Sequence, residues 1–278
     1  MTTTAKKKER GQPWVYVVLA GGLVVLVGPF VWMLLGSVKP DAEIRRTPPT
    51  WLPEAPTLDN YRHLFTELDF PAFFLNSVLV AGAVTVGNLV FCSMLGYALA
   101  KLEFPGRRVV FALVLGMLMV PGMVTFVPLF MLVSRLGLVD SYAGLILPWL
   151  ASPFGVFLMR QFITGLPDDL IQAARVDGAG ELRIFARVVL PLCGPALATL
   201  GILTFLSSWN NFLWPLVVAQ SEDRYTLPVA LALYAIGENN TRYGLLMAGS
   251  VAVIVPVLLV FVALQRHFVR GIATTGLK

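Results

Sequence analysis

The stretch AFFLNSVLVAGAVTVGNLVFCSMLGYALA, residues 72–100, contains 29 consecutive residues without a charged side chain. Because a bilayer core of about 30 Å is crossed by roughly 20 helical residues, this stretch predicts a transmembrane helix. The whole chain agrees, since 57% of its 278 residues are hydrophobic and only 13% are charged. Water-soluble domains are far less apolar and about twice as charged. Soluble enzymes, disordered tails and nucleic-acid-binding domains are therefore poor hypotheses.

Six uncharged runs in the sequence are each long enough to cross a bilayer. They are residues 14–38, 72–100, 109–134, 141–159, 188–221 and 244–265. The fifth run has 34 residues, too few for two crossings with a turn, so we expect one long, tilted helix there. We predict an all-α membrane protein with one six-helix domain, residues 14–265. A basic N-terminal segment, residues 1–13, precedes it, and a tail, residues 266–278, follows it.

The positive charges indicate which side of the membrane each loop faces. Six crossings place both termini on one side, and that side carries 14 Lys and Arg residues against 7 on the other. Because cytoplasmic loops are enriched in Lys and Arg, we predict that both termini are cytoplasmic. The net charge of +5 divides into +8 inside and −3 outside, so we interpret it as a topology signal. It is not evidence for a nucleic-acid partner.

Several kinds of chemistry are missing from the sequence. The chain has no glycine-rich GxxxxGK[ST] loop for nucleotide phosphates, and its two histidines, His63 and His267, fall on opposite predicted sides of the membrane. None of the 16 acidic residues lies in a predicted span, where ion-driven carriers usually place ionisable groups. We therefore expect no metal site, cofactor site or ATP site in this chain, and we expect any driving force to come from elsewhere.

The longest predicted cytoplasmic loop, residues 160–187, has the signals of a helical elbow. Pro167 fits the first turn of a helix, and Arg175 suits the negative end of the helix dipole in its last turn. Gly178 can adopt the left-handed conformation that ends a helix. Asp177 can then cap a second short helix that runs into the fifth span. The loop therefore predicts a helix–glycine–helix elbow between the fourth and fifth spans.

The first helix of the elbow presents small side chains on one face. Leu170, Ala173 and Ala174 share that face, and the two alanines let another surface approach the helix backbone closely. Two interpretations fit this pattern. The elbow is either a docking surface for a partner or an amphipathic surface helix that closes the helix bundle from below.

The elbow resembles the EAA motif of ATP-binding-cassette importer permeases. That pattern runs EAA, three residues, a glycine, nine residues and I-x-L-P. This chain has Gln172-Ala173-Ala174, then Gly178, then Val188-Val189-Leu190-Pro191 at the same spacing. Gln172 departs from the glutamate usual in the family. The resemblance therefore implies docking without the charge-assisted contact that a glutamate makes with a basic ATPase residue.

Further motifs extend the resemblance over most of residues 55–278, within the carbohydrate-uptake branch of the family. The similarity is closest to the subunit type represented by the second permease of maltose importers. The motifs include Gly96-Tyr97-Ala98-Leu99-Ala100, Phe104-Pro105-Gly106-Arg107, Trp209-Asn210 and Tyr225-Thr226-Leu227-Pro228.

The resemblance implies a non-enzymatic subunit of a sugar importer in the bacterial inner or plasma membrane. A homologous second permease would complete the pathway, and an extracytoplasmic solute-binding protein would deliver the sugar. Two ATP-binding-cassette ATPase subunits would bind ATP and Mg²⁺, and the elbow would be a coupling helix docked on one of them. The implied ATPase-coupling residues are Asp169, Gln172, Ala173, Ala174, Asp177, Gly178 and Ala179.

Trp209, Asn210 and Asn211 form the most polar patch within a predicted span. They either line the substrate path, where aromatic and amide groups suit a sugar, or anchor the helix and hydrogen-bond to its neighbours.

The sequence also leaves the identity of the solute open. A sugar is favoured, a glycerol-phosphate-type or other organic solute is the alternative, and a secondary carrier is less favoured because the spans lack charge.

Overall fold

The computed structural model of the protein describes residues 13–66, 68–235 and 241–275, and this part of the chain is helical, as the sequence predicted. The first helices in chain order are α1 (Pro13–Ser37), α2 (Asp41–Ile44), α3 (Asp59–Thr66), α4 (Phe70–Lys101), α5 (Arg107–Met119), α6 (Gly122–Arg135), α7 (Tyr142–Ile146) and α8 (Pro153–Thr164). They are followed by α9 (Asp168–Val176), α10 (Glu181–Ile184), α11 (Leu190–Leu192), α12 (Gly194–Trp209), α13 (Leu213–Val218), α14 (Leu227–Ala235) and α15 (Tyr243–Thr275). A π-helix, Phe185–Val189, joins α10 to α11, and two 3₁₀ turns lie at Leu147–Trp149 and Glu222–Arg224.

Two helices of the described residues, α1 and α4, are each long and apolar enough to cross a bilayer unbroken. Three pairs of consecutive helices pass the same test only when each bent pair is counted as one span, which gives up to five. The pairs are α5 with α6, bent by 107°, the α7 segment with α8, bent by 41°, and Glu181–Leu192 with α12, bent by 81°. Three of the six apolar runs in the sequence are therefore bent or interrupted helices.

The expectation of one continuous helix over residues 188–221 is wrong. The chain breaks after α11 and again between α12 and α13. Pro195 lies in the first turn of α12, and it lacks the N–H that a continuous helix would require, while its ring would clash with the preceding turn of such a helix. A similar interruption occurs in the run 109–134, because Pro121 is extended before α6 begins. An uncharged run therefore predicts a membrane segment but not its continuity, since the helix breaks at Pro121 and Pro195 yet continues through Pro29, Pro128 and Pro256.

The contacts divide the chain into two compact units. One comprises residues up to Leu68 together with Ala235–Ala252, and the other comprises Asp69–Tyr234 together with the chain from Val253 onward. Within the first unit, the Asn60 side chain donates hydrogen bonds to the carbonyls of Ser37 and Lys39, at 2.9 and 2.8 Å. These bonds hold α3 against the end of α1.

In the second unit, α4 packs most extensively against α8 and α12. The backbones of α4 and α8 approach closely at Gly96, where an added Cβ would lie 2.8 Å from Met159 Cβ and 2.9 Å from the Arg160 nitrogen. Only glycine lets the two helix backbones come this close. The ends of α4 and α8 are thereby fixed side by side, and this is where the elbow attaches.

A candidate coupling elbow and a candidate substrate cavity

Residues 168–184 form two helices joined by a glycine turn. The first, α9, ends at Asp177, whose N–H bonds to the carbonyl of Ala173. Gly178 follows with a φ of 78°, a left-handed conformation that favours glycine. The prediction that Asp177 caps the second helix is wrong, because Gly180 occupies the N-cap position of α10 and makes no side-chain cap hydrogen bond. Asp177 instead closes the preceding helix.

The inner face of the elbow is anchored in the core. Ile171 of α9 and Ile184 of α10 are 3% and 0% exposed, and both join the buried cluster that contains Met159 of α8. Ala174 and Ala179, two of the candidate coupling residues, pack partly buried against the same cluster. These two alanines therefore help to pack the elbow against the core of the second unit.

The outer face of the elbow exposes apolar side chains. Leu170 is 46% exposed, Val176 88% and Leu182 73%, and Ala173 is exposed beside them. We call these four residues the elbow surface. The sequence reasoning identified Leu170 and Ala173 but missed Val176 and Leu182. The three-residue spacing from Leu170 through Ala173 to Val176 is a signal that could have found Val176.

A hydrogen-bonded chain links the two helices of the elbow to α4. The Arg175 Nε donates to Glu181 Oε1 at 2.8 Å, and the Tyr97 hydroxyl donates to Glu181 Oε2 at 2.6 Å. We call Tyr97, Arg175 and Glu181 the elbow latch. The Arg175 and Tyr97 hydrogen bonds hold the pKa of the Glu181 carboxyl below its ordinary value, and Glu181 in turn raises the pKa of Arg175. The sequence did not indicate this latch.

A second link fixes the beginning of the elbow. The Lys101 ammonium, at the end of α4, donates to the Leu166 carbonyl at 2.7 Å and to Asp168 Oδ1 at 2.6 Å. Between the two links lies a groove of about 650 Å³, and Gln172 lines it together with Arg175 and Glu181. Of the other candidate coupling residues, Asp169, Asp177 and Gly178 are exposed.

A second feature is an open cavity of about 720 Å³ beside α4 and the end of α12. Asn210 and Asn211 line it, as do several hydroxyl and aromatic side chains. The lining residues are Val84, Asn88, Trp149, Ser152, Phe154, Leu203, Thr204, Ser207, Ser208, Asn210, Asn211, Phe212 and Leu213. None of these described lining residues carries a charge, so the cavity offers hydrogen bonds and aromatic faces to a neutral ligand.

Asn88 organises one wall of this cavity and was missed by the sequence reasoning. Its side chain is almost completely buried, donates to the Trp149 carbonyl at 2.6 Å and accepts from the Ser152 hydroxyl at 2.8 Å. A buried amide in an apolar run is costly unless it is hydrogen-bonded. An asparagine in the middle of the run 72–100 was the signal that could have identified it.

Trp209 does not line the cavity, although its two neighbours do. The Trp209 side chain is 1% exposed, and its indole N–H donates to the Val253 carbonyl at 3.0 Å. Its ring stacks on Phe205 at 5.6 Å and meets Phe74 edge-on at 5.8 Å. Trp209, one of the three candidates for the substrate path, is thus packed against neighbouring aromatic rings, whereas Trp149 and Phe154 supply the aromatic faces of the cavity.

Comparisons with known proteins agree on one family. The model for "Binding-protein-dependent transport system inner membrane component" matches residues 92–274. The chain is 44% identical over 257 residues to the arabinooligosaccharides transport system permease protein AraQ of Halalkalibacterium halodurans, which covers 91% of this chain and 92% of that protein. It is 33% identical over 264 residues to the sn-glycerol-3-phosphate transport system permease protein UgpE of Salmonella choleraesuis, covering 92% of this chain and 94% of that protein.

A solved structure gives the same result. A chain in the crystal structure of a bacterial ABC transporter involved in the import of the acidic polysaccharide alginate is 26% identical in sequence. It superposes with a TM-score of 0.83 over 96% of this chain and 100% of that chain.

Glu181→Gln is expected to lower the Tm of the purified protein at neutral pH, because the amide accepts from Arg175 without an opposite charge. The free energy of unfolding should fall by about 0.5–1 kcal/mol, as for other partly exposed ion pairs. A carboxylate with a lowered folded-state pKa stabilises the fold above its ordinary pKa of 4.5, and this contribution is lost as the pH falls through the folded-state pKa. The Tm difference should therefore shrink on acidification below pH 4.5.

Thermal unfolding in detergent, followed by tryptophan fluorescence, measures this difference. Glu103→Gln is the matched control, because Glu103 is an exposed carboxylate in the segment between α4 and α5 and takes no part in the elbow latch. Equal Tm values for wild type and Glu181→Gln at neutral pH would contradict a stabilising latch.

Proposed function

We propose that this chain, which belongs to the family of binding-protein-dependent transport system inner membrane components, is the permease subunit of an ATP-driven sugar importer. Members of this family are non-catalytic transport subunits, and ATP is handled by partner subunits. Within the described residues, no group of three or more His, Cys, Asp or Glu side chains could hold a metal ion. The family membership also argues against the hypothesis of a secondary carrier, which was the less favoured alternative from the sequence.

The observation that carries this proposal is the elbow surface. Leu170, Val176 and Leu182 are exposed apolar residues on a segment outside the long apolar runs, in a chain that belongs to a transporter family. Exposed apolar patches at such positions are typical of protein-binding surfaces. We infer that an ATPase subunit covers this surface, with the candidate coupling residues Asp169, Gln172, Ala173, Asp177 and Gly178 at or beside the contact and Ala174 and Ala179 behind it.

The full assembly that we propose has six membrane crossings in this chain, with both termini in the cytoplasm. The three bent helix pairs then count as one crossing each, and α15 provides the sixth. A homologous second permease would complete the pathway, two ATPase subunits would lie on the cytoplasmic side, and an extracytoplasmic solute-binding protein would deliver the solute. The bias of Lys and Arg towards the elbow side supports this orientation.

The contacts of the elbow suggest how motion reaches the pathway. Closure of the ATPase pair would displace α9 and α10, which are attached to α4 through Lys101 and the elbow latch. The segment Glu181–Leu192 and α12 are bent by 81° at their break. The displacement therefore cannot be transmitted along one straight fifth helix. We infer that the displacement passes to the cytoplasmic ends of α4 and α8 and tilts these helices around the cavity.

We propose that Asn210 and Asn211 contact the solute in the cavity and that Trp209 holds α12 in position for them. The uncharged lining favours a neutral sugar over a glycerol-phosphate-type solute, because a phosphate ester requires a cationic partner. The identity to the arabinooligosaccharide permease, 44% against 33% for the glycerol-3-phosphate permease, points in the same direction. A phosphate ester remains the alternative if the second permease supplies the cation.

Purification of the chain from its native membrane tests the proposed assembly. Mild detergent extraction, affinity capture and mass spectrometry should identify a second permease and two copies of an ATPase subunit. Reconstituted with the solute-binding protein, the complex should take up labelled arabinotriose and not sn-glycerol 3-phosphate. A complex that contains only copies of this chain would overturn the proposed assembly.

Gly178→Val is expected to abolish uptake while expression and membrane insertion stay largely intact. A β-branched residue at a φ of 78° is strained by about 1–3 kcal/mol, which shifts the elbow surface relative to α4. Gly180→Val is the matched control, because Gly180 has a φ of −72° and nothing lies within 4 Å of an added Cβ. Normal arabinotriose uptake by Gly178→Val would contradict the docking role.

Asn210→Ala is expected to raise the solute concentration for half-maximal uptake about fivefold, which corresponds to one lost hydrogen bond of about 1 kcal/mol. Thr199→Ala, which changes a polar residue of α12 outside the cavity lining, should leave uptake unchanged. The measurement is the concentration dependence of arabinotriose uptake by the reconstituted complex. Unchanged uptake and selectivity in Asn210→Ala would favour a purely structural role.

A further inference from the structure

Three arginines line a cleft beside the end of α4. The cleft has a volume of about 330 Å³, and its lining residues are Leu99, Arg107, Arg108, Phe111 and Arg160. None of these described residues is acidic, so three positive charges face one small space. We call this feature the arginine cleft. Its chemistry is unrelated to the elbow surface and to the uncharged cavity.

Arg107 is fixed in place by the backbone. Its Nε, Nη1 and Nη2 atoms donate to the carbonyls of Leu99, Leu102 and Ala100 at 2.9, 3.1 and 3.1 Å, which caps the end of α4. These acceptors are neutral, so they position the guanidinium without cancelling its charge, although Arg107 also lines the groove that contains Glu103, Asp168 and Glu181. Its positive charge therefore still acts on the cleft.

Arg160 and Arg108 retain hydrogen-bonding capacity. The Arg160 guanidinium lies over the Phe111 ring at 3.7 Å and donates to the Gln161 side chain at 3.0 Å. Its Nε atom is buried and has no hydrogen-bond partner among the described residues. Arg108 is exposed at the same cleft. An acidic side chain, Glu103, lies in the adjoining cleft of about 380 Å³, which also borders Arg107 and Arg108.

An apolar stripe begins directly after the arginines. Val109, Leu113 and Met117 of α5 are 63%, 63% and 60% exposed, and their four-residue spacing places them on one face of the helix. Val109, the first residue of this stripe, lines the adjoining cleft together with Arg108, so a ligand held at Arg108 has an apolar surface beside it. The combination of a cationic cleft and an apolar stripe matches an amphiphile with an anionic head.

We propose that the arginine cleft binds a phosphate group, and that this phosphate belongs to an anionic phospholipid whose acyl chains lie along Val109, Leu113 and Met117. Guanidinium groups match phosphate oxygens with paired hydrogen bonds and a fixed charge. In the orientation proposed above, the cleft faces the cytoplasmic leaflet, where anionic lipids are concentrated, and basic pockets beside transmembrane helices bind their head groups. The lipid would relieve the repulsion among the three guanidinium groups and fix the joint between α4, α5 and α8.

Lipid binding to the full chain, purified with the proteins that accompany it, tests this proposal. The probes are dioctanoyl phosphatidylglycerol, dioctanoyl phosphatidylcholine and inorganic phosphate, and native mass spectrometry counts the bound molecules. Wild type should bind phosphatidylglycerol in preference to phosphatidylcholine. Arg160→Gln and Arg108→Gln should each weaken phosphatidylglycerol binding about tenfold, the effect of losing one charge-assisted contact.

Arg187→Gln is the matched control, because it removes one exposed positive charge that does not line the cleft. Arg160→Lys keeps the charge and removes the paired donors, so it also tests the site if Arg160→Gln fails to fold. Its binding should be weaker than that of wild type.

The outcomes separate the two sources of phosphate. Arginine-dependent binding of phosphatidylglycerol that inorganic phosphate does not displace supports the lipid. Arginine-dependent binding of inorganic phosphate with no preference for phosphatidylglycerol supports the phosphate site and overturns its assignment to a lipid. Binding of phosphatidylglycerol that is equal in wild type and in all the variants overturns the proposal, and so does an absence of binding by both anionic probes.

Discussion

The close contact between α4 and α8 at Gly96 is the constraint on which the rest of the second unit depends. It brings two helix backbones together at a distance that any larger side chain would forbid. Because the ends of α4 and α8 are fixed side by side, Ile171 and Ile184 of the elbow can enter one buried cluster with Met159. The elbow latch and Lys101 then set the orientation of the elbow on this base. The exposed elbow surface is thus attached to a closely packed pair of helices.

The buried polar groups of Asn88 and Trp209 in the second unit are hydrogen-bonded, because an unpaired buried polar group costs free energy. Asn88 satisfies its amide with the Trp149 carbonyl and the Ser152 hydroxyl, and this fixes one wall of the cavity. Trp209 satisfies its indole N–H on a backbone carbonyl and is buried, so it positions its neighbours without reaching the cavity. The three arginines Arg107, Arg108 and Arg160 differ from these groups, because they are gathered around one cleft beside the end of α4.

The sequence reasoning identified the family correctly and found most of the helical segments. The resemblance of this chain to importer permeases is confirmed by the family match over residues 92–274 and by relatives that cover about nine-tenths of the chain. It succeeded because composition and motif spacing are local properties. It failed on the continuity of the run 188–221 and on the capping role of Asp177, where proline and a neighbouring glycine changed the backbone path. The elbow latch escaped it because Tyr97 lies 84 residues from Glu181.

The sequence by itself determined that this protein belongs in a membrane, that it is helical and that it is a member of a transporter family. Lipid favours long uncharged helices whatever their neighbours are, so a linear pattern is enough to reveal them. Only the tertiary structure decided which side chains face the cavity, which alanines of the elbow turn inward, and which arginines share a cleft. Those outcomes follow from the packing of helices that are distant in sequence, such as the close approach of α4 and α8 at Gly96.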